Sequence, residues 1–139
     1  MKVKKVVEVK SHYSFEAPLV PAGITDRGTR LEQFDGTLAL GSYLSPEPLQ
    51  TFLVRVSGES MINENILDGD ILVVDRKETP RDGKIVIASL NGEMAVKKFK
   101  IIEGKVYLYS ANEKFLPIEI SGLMEFQIQG VVKHVIHNL

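Results

Sequence analysis

Ser60 is the side chain of this sequence best placed to act as a nucleophile. It lies in residues 52–75 (FLVRVSGESMINENILDGDILVVD), directly after a stretch whose apolar and polar residues alternate as in a half-buried strand. Ile62, Ile66 and Leu67 then recur at roughly helical spacing, so the serine falls where a strand gives way to a helical turn. Such a position leaves backbone N–H groups unpaired. A hydroxyl beside free amides can serve as a nucleophile with an oxyanion hole.

A lysine further along the chain offers the base that such a serine needs. Along residues 93–102 (EMAVKKFKII), strand alternation places Lys97 on the same face as Ala95 and Phe99, and Lys98 on the opposite, wetter face. Apolar neighbours disfavour an ammonium ion and lower a lysine pKa. A neutral amine is a competent general base for a serine when no histidine is at hand.

Both residues also have an ordinary structural explanation. A serine before a helical turn is more often a cap that accepts a backbone N–H, and a strand lysine often extends its ammonium to water. Taken singly, Ser60 and Lys97 are better explained in this way. The hypothesis of a serine–lysine pair rests on their occurring together.

The other reactive side chains form no recognisable site in the sequence. His134 and His137 are three residues apart and would face opposite sides of a strand, which argues against a shared metal site. The residues around Ser60 lack the second glycine of a nucleophile elbow, and no glycine-rich phosphate loop is present. We therefore expect no metal and no cofactor.

Composition limits the class of protein. The chain has 139 residues, of which 44% are hydrophobic and 25% charged, and a formal net charge of -1; these values fit one globular domain and give no indication of direct nucleic-acid binding. Without cysteine there can be no disulfide framework. Because no apolar run reaches the ~20 residues of a membrane span and the N-terminus is too charged for a secretory signal, we expect a soluble cytoplasmic protein.

The second half of the sequence predicts one strand after another. Asn91-Gly92 is a strong signal for a two-residue hairpin, and Glu103-Gly104 predicts a second turn. The fold predicted from this spacing is mainly β, with a bent or barrel-like sheet. The predicted strands cover residues 84–90, 93–102, 105–110, 115–120 and 126–136.

The first half is organised differently. Residues 1–22 carry a formal charge of +2 and are predicted to form an arm that lies on the body rather than forming its core. The arm would contain a short valine-rich strand, and Pro18 and Pro21 would interrupt regular structure near its end. Residues 23–50 read as a connecting segment, and residues 51–139 as the β-rich domain. The arm ends at Ala22-Gly23, whose small side chains leave the peptide bond accessible.

Three motifs in order resemble those of a known family. Residues 57–61 (SGESM), 68–70 (DGD) and 96–98 (VKK), with the small-residue–glycine step at Ala22-Gly23, resemble the LexA/UmuD family of self-cleaving serine–lysine proteases. The resemblance extends from about Val20 to Val135. It implies a β-rich fold of the LexA and signal-peptidase type with a flexible N-terminal arm.

The resemblance also implies roles for individual residues. Ser60 would attack the carbonyl of Ala22, and Lys97 would take the hydroxyl proton. The backbone amides of Ser60 and Met61 would hold the oxyanion. Cleavage between Ala22 and Gly23 would remove the arm.

The partners follow from the same resemblance. The arm is too short for a helix-turn-helix domain, so the sequence is most similar to the UmuD branch of the family. That branch implies a homodimer, cleavage stimulated by a RecA filament on single-stranded DNA, and a shortened form that joins a UmuC-like Y-family polymerase for translesion synthesis in the SOS response.

Three alternatives remain open. One is a non-catalytic β-rich interaction module in which Ser60 is a cap and Lys97 a surface lysine. A second is the self-cleaving regulatory domain of a LexA-type or phage repressor. A third is a peptidase of signal-peptidase type that acts on other chains.

Overall fold

The computed structural model describes residues 1–8, 16–18, 37–110, 114, 116–122 and 124–139. The Ala22-Gly23 step and the first half of the segment 23–50 lie outside these ranges, as does His12. Within them, regular structure is almost entirely antiparallel β, which confirms the predicted mainly β class, and no helix is long and apolar enough to cross a membrane.

The described elements follow the chain in this order. The strands are β1 (Lys2–Glu8), β2 (Glu16–Pro18), β3 (Thr37–Ala39), β4 (Thr51–Ser57), β5 (Ile71–Asp75), β6 (Ile85–Leu90), β7 (Glu93–Ile102), β8 (Lys105–Tyr109), β9 (Ile118–Glu119) and β10 (Phe126–Ile136). One short α-helix, α1 (Leu40–Leu44), follows β3, and 3-10 turns span Pro48–Gln50 and Ile62–Glu64.

Eight of the strands form one sheet that closes on itself. Their order is β1-β4-β5-β10-β6-β7-β8-β9, and β1 also pairs with β7 through Lys2 and Ala95. The strands from β1 to β7 in that order therefore make a closed ring, from which β8 and β9 extend. The remaining two strands, β2 and β3, pair separately. This is the barrel-like arrangement that the strand spacing predicted.

Both predicted hairpins are present, with the register that their turns impose. Leu90 pairs with Glu93 across Asn91-Gly92, whose φ angles of 49° and 87° suit a two-residue turn of the type that matches strand twist. Ile102 pairs with Lys105 in the same way. The positions of β7 and β8 relative to each other are thus fixed by a local turn.

The core consists of two clusters, and β7 contributes to both. Val96 packs in the first and Phe99 in the second, because alternate residues of a strand point to opposite faces. The first cluster contains Met1, Phe52, Val54, Val56, Met61, Ile66, Leu72, Val74, Ile87 and Val96. The second contains Val86, Ala88, Phe99, Leu108 and Val131.

The N-terminal segment differs from its expected form. The predicted short strand exists as β1, but it belongs to the main sheet, and Met1 is only 7% exposed within the first core cluster. The first eight residues are therefore part of the folded body rather than an arm resting on it. Regular structure also reaches Pro18, which is tolerated at the end of a short edge strand.

Gly130 marks the place where β10 changes partners. The register with β6 shifts between Ile128 and Gly130, and β10 pairs with β5 from Val131 onward. A Cβ atom at position 130 would stand 2.6 Å from a Val74 methyl and 2.7 Å from the Asp75 carbonyl oxygen. Because the latter is backbone, the crowding cannot be relieved by a side-chain rotation.

We predict that Gly130→Ala lowers the free energy of unfolding by about 1–3 kcal/mol, measured by urea denaturation. Gly122→Ala is the matched control, because a Cβ there meets no atom within 4 Å; it should change stability by less than about 0.5 kcal/mol. Equal effects of the two substitutions would contradict the close-packed crossing at Gly130.

Candidate active site

Ser60 lies on a tight turn that follows β4. The strand ends at Ser57, and Gly58 then adopts a φ of 105°, a conformation that residues with a side chain rarely take. The Gly58 amide donates to Asp68 Oδ1 (2.9 Å), which holds the start of the turn. Ser60 itself is 1% exposed, and the predicted helical turn follows it at Ile62–Glu64.

Asp70 anchors the far end of the same loop. Its carboxylate is 2% exposed, accepts the Leu67 amide (2.8 Å) and contacts Nδ1 of His137 (2.6 Å). Its main chain pairs with Val56 on β4, because the Val56 amide donates to the Asp70 carbonyl (3.0 Å). The loop that carries Ser60 is therefore fixed at both ends by polar contacts, of which the one at Asp70 is buried.

Met1 and Lys2 lie between the two chain segments that carry Ser60 and Lys97. Lys2 pairs with Ser57 on one side and with Ala95 on the other. The Val96 amide donates to the Met1 carbonyl at 2.9 Å. The turn with Ser60 and the strand with Lys97 therefore meet the same short segment of backbone from opposite sides.

The α-amine of Met1 occupies the position next to the serine hydroxyl. It donates a hydrogen bond to Ser60 Oγ in a buried setting. Burial, together with the positive charges of Lys97 and Lys2, lowers the pKa of this amine from 8.0 to about 6. At neutral pH the Met1 amine is thus largely uncharged, with a lone pair beside a serine hydroxyl.

Lys97 is half-buried, as expected from the apolar residues that share its face of β7. Desolvation lowers the pKa of its ammonium group. Its Nζ donates to Ser110 Oγ at 2.9 Å. Repulsion between the two positive charges lowers the pKa of the Met1 amine rather than that of Lys97. As the pH rises, the Met1 amine loses its proton first, so it is already neutral when Lys97 begins to lose its own.

The neighbouring lysine has a different role. Lys98 points to the other face of β7 and forms an ion pair with Glu64 at 2.5 Å. Its ammonium group is therefore held at Glu64, away from the face of β7 that carries Lys97. Because side chains alternate along β7, Lys97 is a desolvated amine, whereas the adjacent Lys98 is held in an ion pair with Glu64.

The arrangement has the groups of a serine–lysine pair but is not open to a substrate. Within the described part of the chain, Lys97 hydrogen-bonds to Ser110 rather than to Ser60, and the serine accepts from Met1. A carbonyl under attack must stand about 3 Å from the serine oxygen. The Met1 amine fills that space, so reaction requires the start of β1 to move.

The two histidines that the structure describes have different neighbours. His137 contacts Asp70, while the ring of His134 lies 5.4 Å from that of Tyr43, centre to centre. Among the residues that the structure describes, no three potential ligands are grouped to hold a metal ion.

Two contributors to the site were missed in the sequence. Met1 gave no signal, because nothing local indicates that an N-terminal strand pairs with both β4 and β7. Ser110 did have a signal. Counting back from the predicted turn at Glu103-Gly104 pairs 102 with 105 and so places 97 opposite 110, on one face of the hairpin.

Comparison with known proteins gives a consistent picture. The family model described as Peptidase S24-like matches residues 18–133. The chain is similar to the LexA repressor of Vibrio cholerae (40% identical over 92 residues, 66% of this chain and 44% of the relative). It is also similar to the LexA repressor of Pectobacterium carotovorum (42% over 93 residues, 66% and 46%). The chain therefore spans less than half the length of these curated relatives.

The Met1 amine predicts a pH dependence of stability. Between pH 6 and 8 the unfolded chain, with an α-amine pKa of 8.0, holds more protons than the folded chain, with a pKa of about 6. The free energy of unfolding should therefore rise with pH across this window through this group.

The measurement is chemical denaturation at several pH values, with and without acetylation of the α-amine. The acetylated protein lacks the titrating group, so its stability should rise less between pH 6 and 8. Every other ionisable group is common to the two proteins, so its contribution cancels in the difference between them. Identical slopes would mean that the Met1 amine is not desolvated in the folded state.

Proposed function

Because the chain belongs to the Peptidase S24-like family, we propose that it is a self-cleaving serine peptidase whose Ser60 attacks the Ala22–Gly23 bond with Lys97 as general base. One observation supports this most strongly. A buried serine hydroxyl and a desolvated lysine are carried by the two chain segments that flank Lys2 on either side. Burial and a lowered amine pKa are what such a pair requires.

The proposed reaction proceeds in two steps. The neutral Lys97 amine takes the Ser60 hydroxyl proton as the oxygen bonds to the Ala22 carbonyl carbon, and the amides of Ser60 and Met61 stabilise the oxyanion. The intermediate then collapses. The C–N bond to Gly23 breaks, Lys97 returns the proton to the leaving amine, and water hydrolyses the ester on Ser60 by the reverse sequence of proton transfers.

Access to Ser60 is the step at which this reaction can be controlled. The catalytic groups are permanently present, and the cleavable bond is tethered to them, so high effective concentration replaces substrate affinity. The Met1 end of β1 and the Ala22–Gly23 bond compete for the same space beside Ser60. Activation then shifts the population of molecules from those with Met1 beside Ser60 to those with the Ala22–Gly23 bond beside Ser60.

We assign the biological role from the resemblance between the motifs. The chain would act as a homodimer in the cytoplasm, be stimulated by a RecA filament on single-stranded DNA during the SOS response, and in its shortened form serve as a subunit of a UmuC-like translesion polymerase. No direct contact with nucleic acid is needed for this role.

A second candidate is a repressor-type regulatory domain. The named relatives favour it, since proteins 40% and 42% identical to this chain are LexA repressors. The two candidates share the cleavage chemistry and differ in the partner of the cleaved form. A polymerase subunit should bind a UmuC-like polymerase after cleavage in a pull-down, whereas a repressor-type regulatory domain should not.

Alkaline incubation of the purified protein tests the chemistry. Raising the pH deprotonates Lys97, so a product that begins at Gly23 should accumulate, as identified by N-terminal sequencing. Ser60→Ala and Lys97→Ala should each reduce its rate by at least roughly a thousandfold.

The control for this experiment is Lys98→Ala. It removes the adjacent lysine and its half-buried ion pair with Glu64, which lie on the face of β7 away from Lys97. The cleavage rate should therefore stay within about threefold of the parent rate. Cleavage by Ser60→Ala at the parent rate would rule out the serine as nucleophile. Loss of cleavage in Lys98→Ala but not in Lys97→Ala would assign the base to the other lysine.

The proposed partners predict behaviour at neutral pH. A RecA filament on single-stranded DNA should accelerate appearance of the Gly23 product, and light scattering of the uncleaved Ser60→Ala protein should give twice the chain mass of 15.5 kDa. A rate indifferent to the filament would contradict the assigned regulation, and a strict monomer at micromolar concentration would contradict the dimer.

A further inference from the structure

We propose that Ser110 is a positioning residue for Lys97: its hydroxyl oxygen accepts an N–H of the lysine and fixes the direction of the amine within the site. The inference rests on the proposed Ser60–Lys97 chemistry and adds a residue that lies outside all three sequence motifs.

The contact follows from the geometry of the β7–β8 hairpin. The register runs from Ile102 opposite Lys105 to Lys98 opposite Tyr109. One further step places Lys97 opposite Ser110, and directly opposite residues of an antiparallel pair share a face. The Nζ–Oγ distance of 2.9 Å is that of a well-formed hydrogen bond.

An oriented amine matters more for lysine than for other bases. Its nitrogen ends a flexible four-carbon chain and rotates freely. Once neutral, it has two N–H donors and one lone pair, and only the lone pair can take a proton from Ser60. When one N–H is donated to Ser110, the amine has fewer orientations available, so its lone pair is more often directed at the hydroxyl of Ser60.

The hydroxyl also stabilises the charged form of Lys97. An oxygen that accepts from an ammonium ion partly offsets its desolvation, so loss of the hydroxyl should make the amine easier to deprotonate. Serine carries no charge, and the other groups around Lys97 stay the same in a Ser110 variant. These include Val86, which is opposite Lys97 on β6, and the Met1 amine, whose positive charge interacts with that of Lys97.

The pH dependence of self-cleavage separates positioning from a merely structural role. In Ser110→Ala we expect the plateau rate at high pH to fall about ten- to a hundredfold and the midpoint of the pH–rate curve to move to lower pH. Ser110→Thr keeps the hydroxyl and should restore both. A structural defect alone would lower the rate without moving the midpoint.

Ser89→Ala is the matched control, since it removes a half-buried β-strand hydroxyl that is opposite Met94 rather than Lys97. It should leave both the plateau and the midpoint unchanged. A Ser110→Ala profile that coincides with the parent profile would overturn the inference.

A second measurement does not depend on cleavage. In the Ser60→Ala background, NMR of the lysine side-chain carbons reports the titration of Lys97 directly. Adding Ser110→Ala should lower the pKa of Lys97, and Ser110→Thr should restore it. An unchanged titration would overturn the inference whatever the cleavage assay gives.

The two measurements also distinguish this inference from the proposed function. If the parent protein never cleaves but the Ser110→Ala substitution changes the pKa of Lys97, the results contradict self-cleavage and support the contact between Ser110 and Lys97. A parent that cleaves through Ser60 and Lys97, with both readouts indifferent to Ser110, supports the proposed function and contradicts the positioning role.

Discussion

The pairing of Lys2 with both Ser57 and Ala95 is the interaction on which the site depends. In the order of the sheet, β4 and β7 are separated by β5, β10 and β6, so a flat sheet would hold Ser60 and Lys97 far apart. The strand twist and the β10 bulge curve the sheet. The first strand then joins its two sides and brings the serine turn and the lysine strand to one short piece of backbone.

The same closure makes the site dry. Met1 packs with Val56, Met61 and Val96, and the hydroxyl of Ser60 is removed from solvent with them. Desolvation penalises ammonium ions, so the amines of Met1 and Lys97 are both easier to deprotonate than in water. The strand that completes the site thus lowers the pKa of both amines, and Met1, directly before it, covers the hydroxyl of Ser60.

Polar contacts between distant segments fix the reactive groups in this dry setting. Asp68 and Asp70 hold the two ends of the serine loop, and Ser110 holds Lys97. The contacts of Asp70 and Ser110 satisfy buried or half-buried polar groups that would otherwise cost free energy, whereas the contact of Asp68 is exposed. The two aspartates of the DGD motif (residues 68–70) therefore help to fix the shape of the loop, in addition to the turn that the glycine forms.

The sequence by itself determined the features that depend on neighbouring residues. Turn chemistry at Asn91-Gly92 and Glu103-Gly104 fixed two hairpins and their registers, alternation separated Lys97 from Lys98, and the break after Ser57 placed Ser60 on a turn. These are local effects, in which a few adjacent residues set the backbone conformation.

Only the tertiary structure decided which distant segments meet. The place of β1 between β4 and β7, the Met1 amine at Ser60 and the contact of His137 with Asp70 have no local signal. Strand edges are generic in their hydrogen bonding, and which edges pair depends on the closure of the whole sheet. The two residues of the proposed dyad were thus evident in the sequence, whereas the segment that covers Ser60 and the polar contacts that hold both residues required the fold.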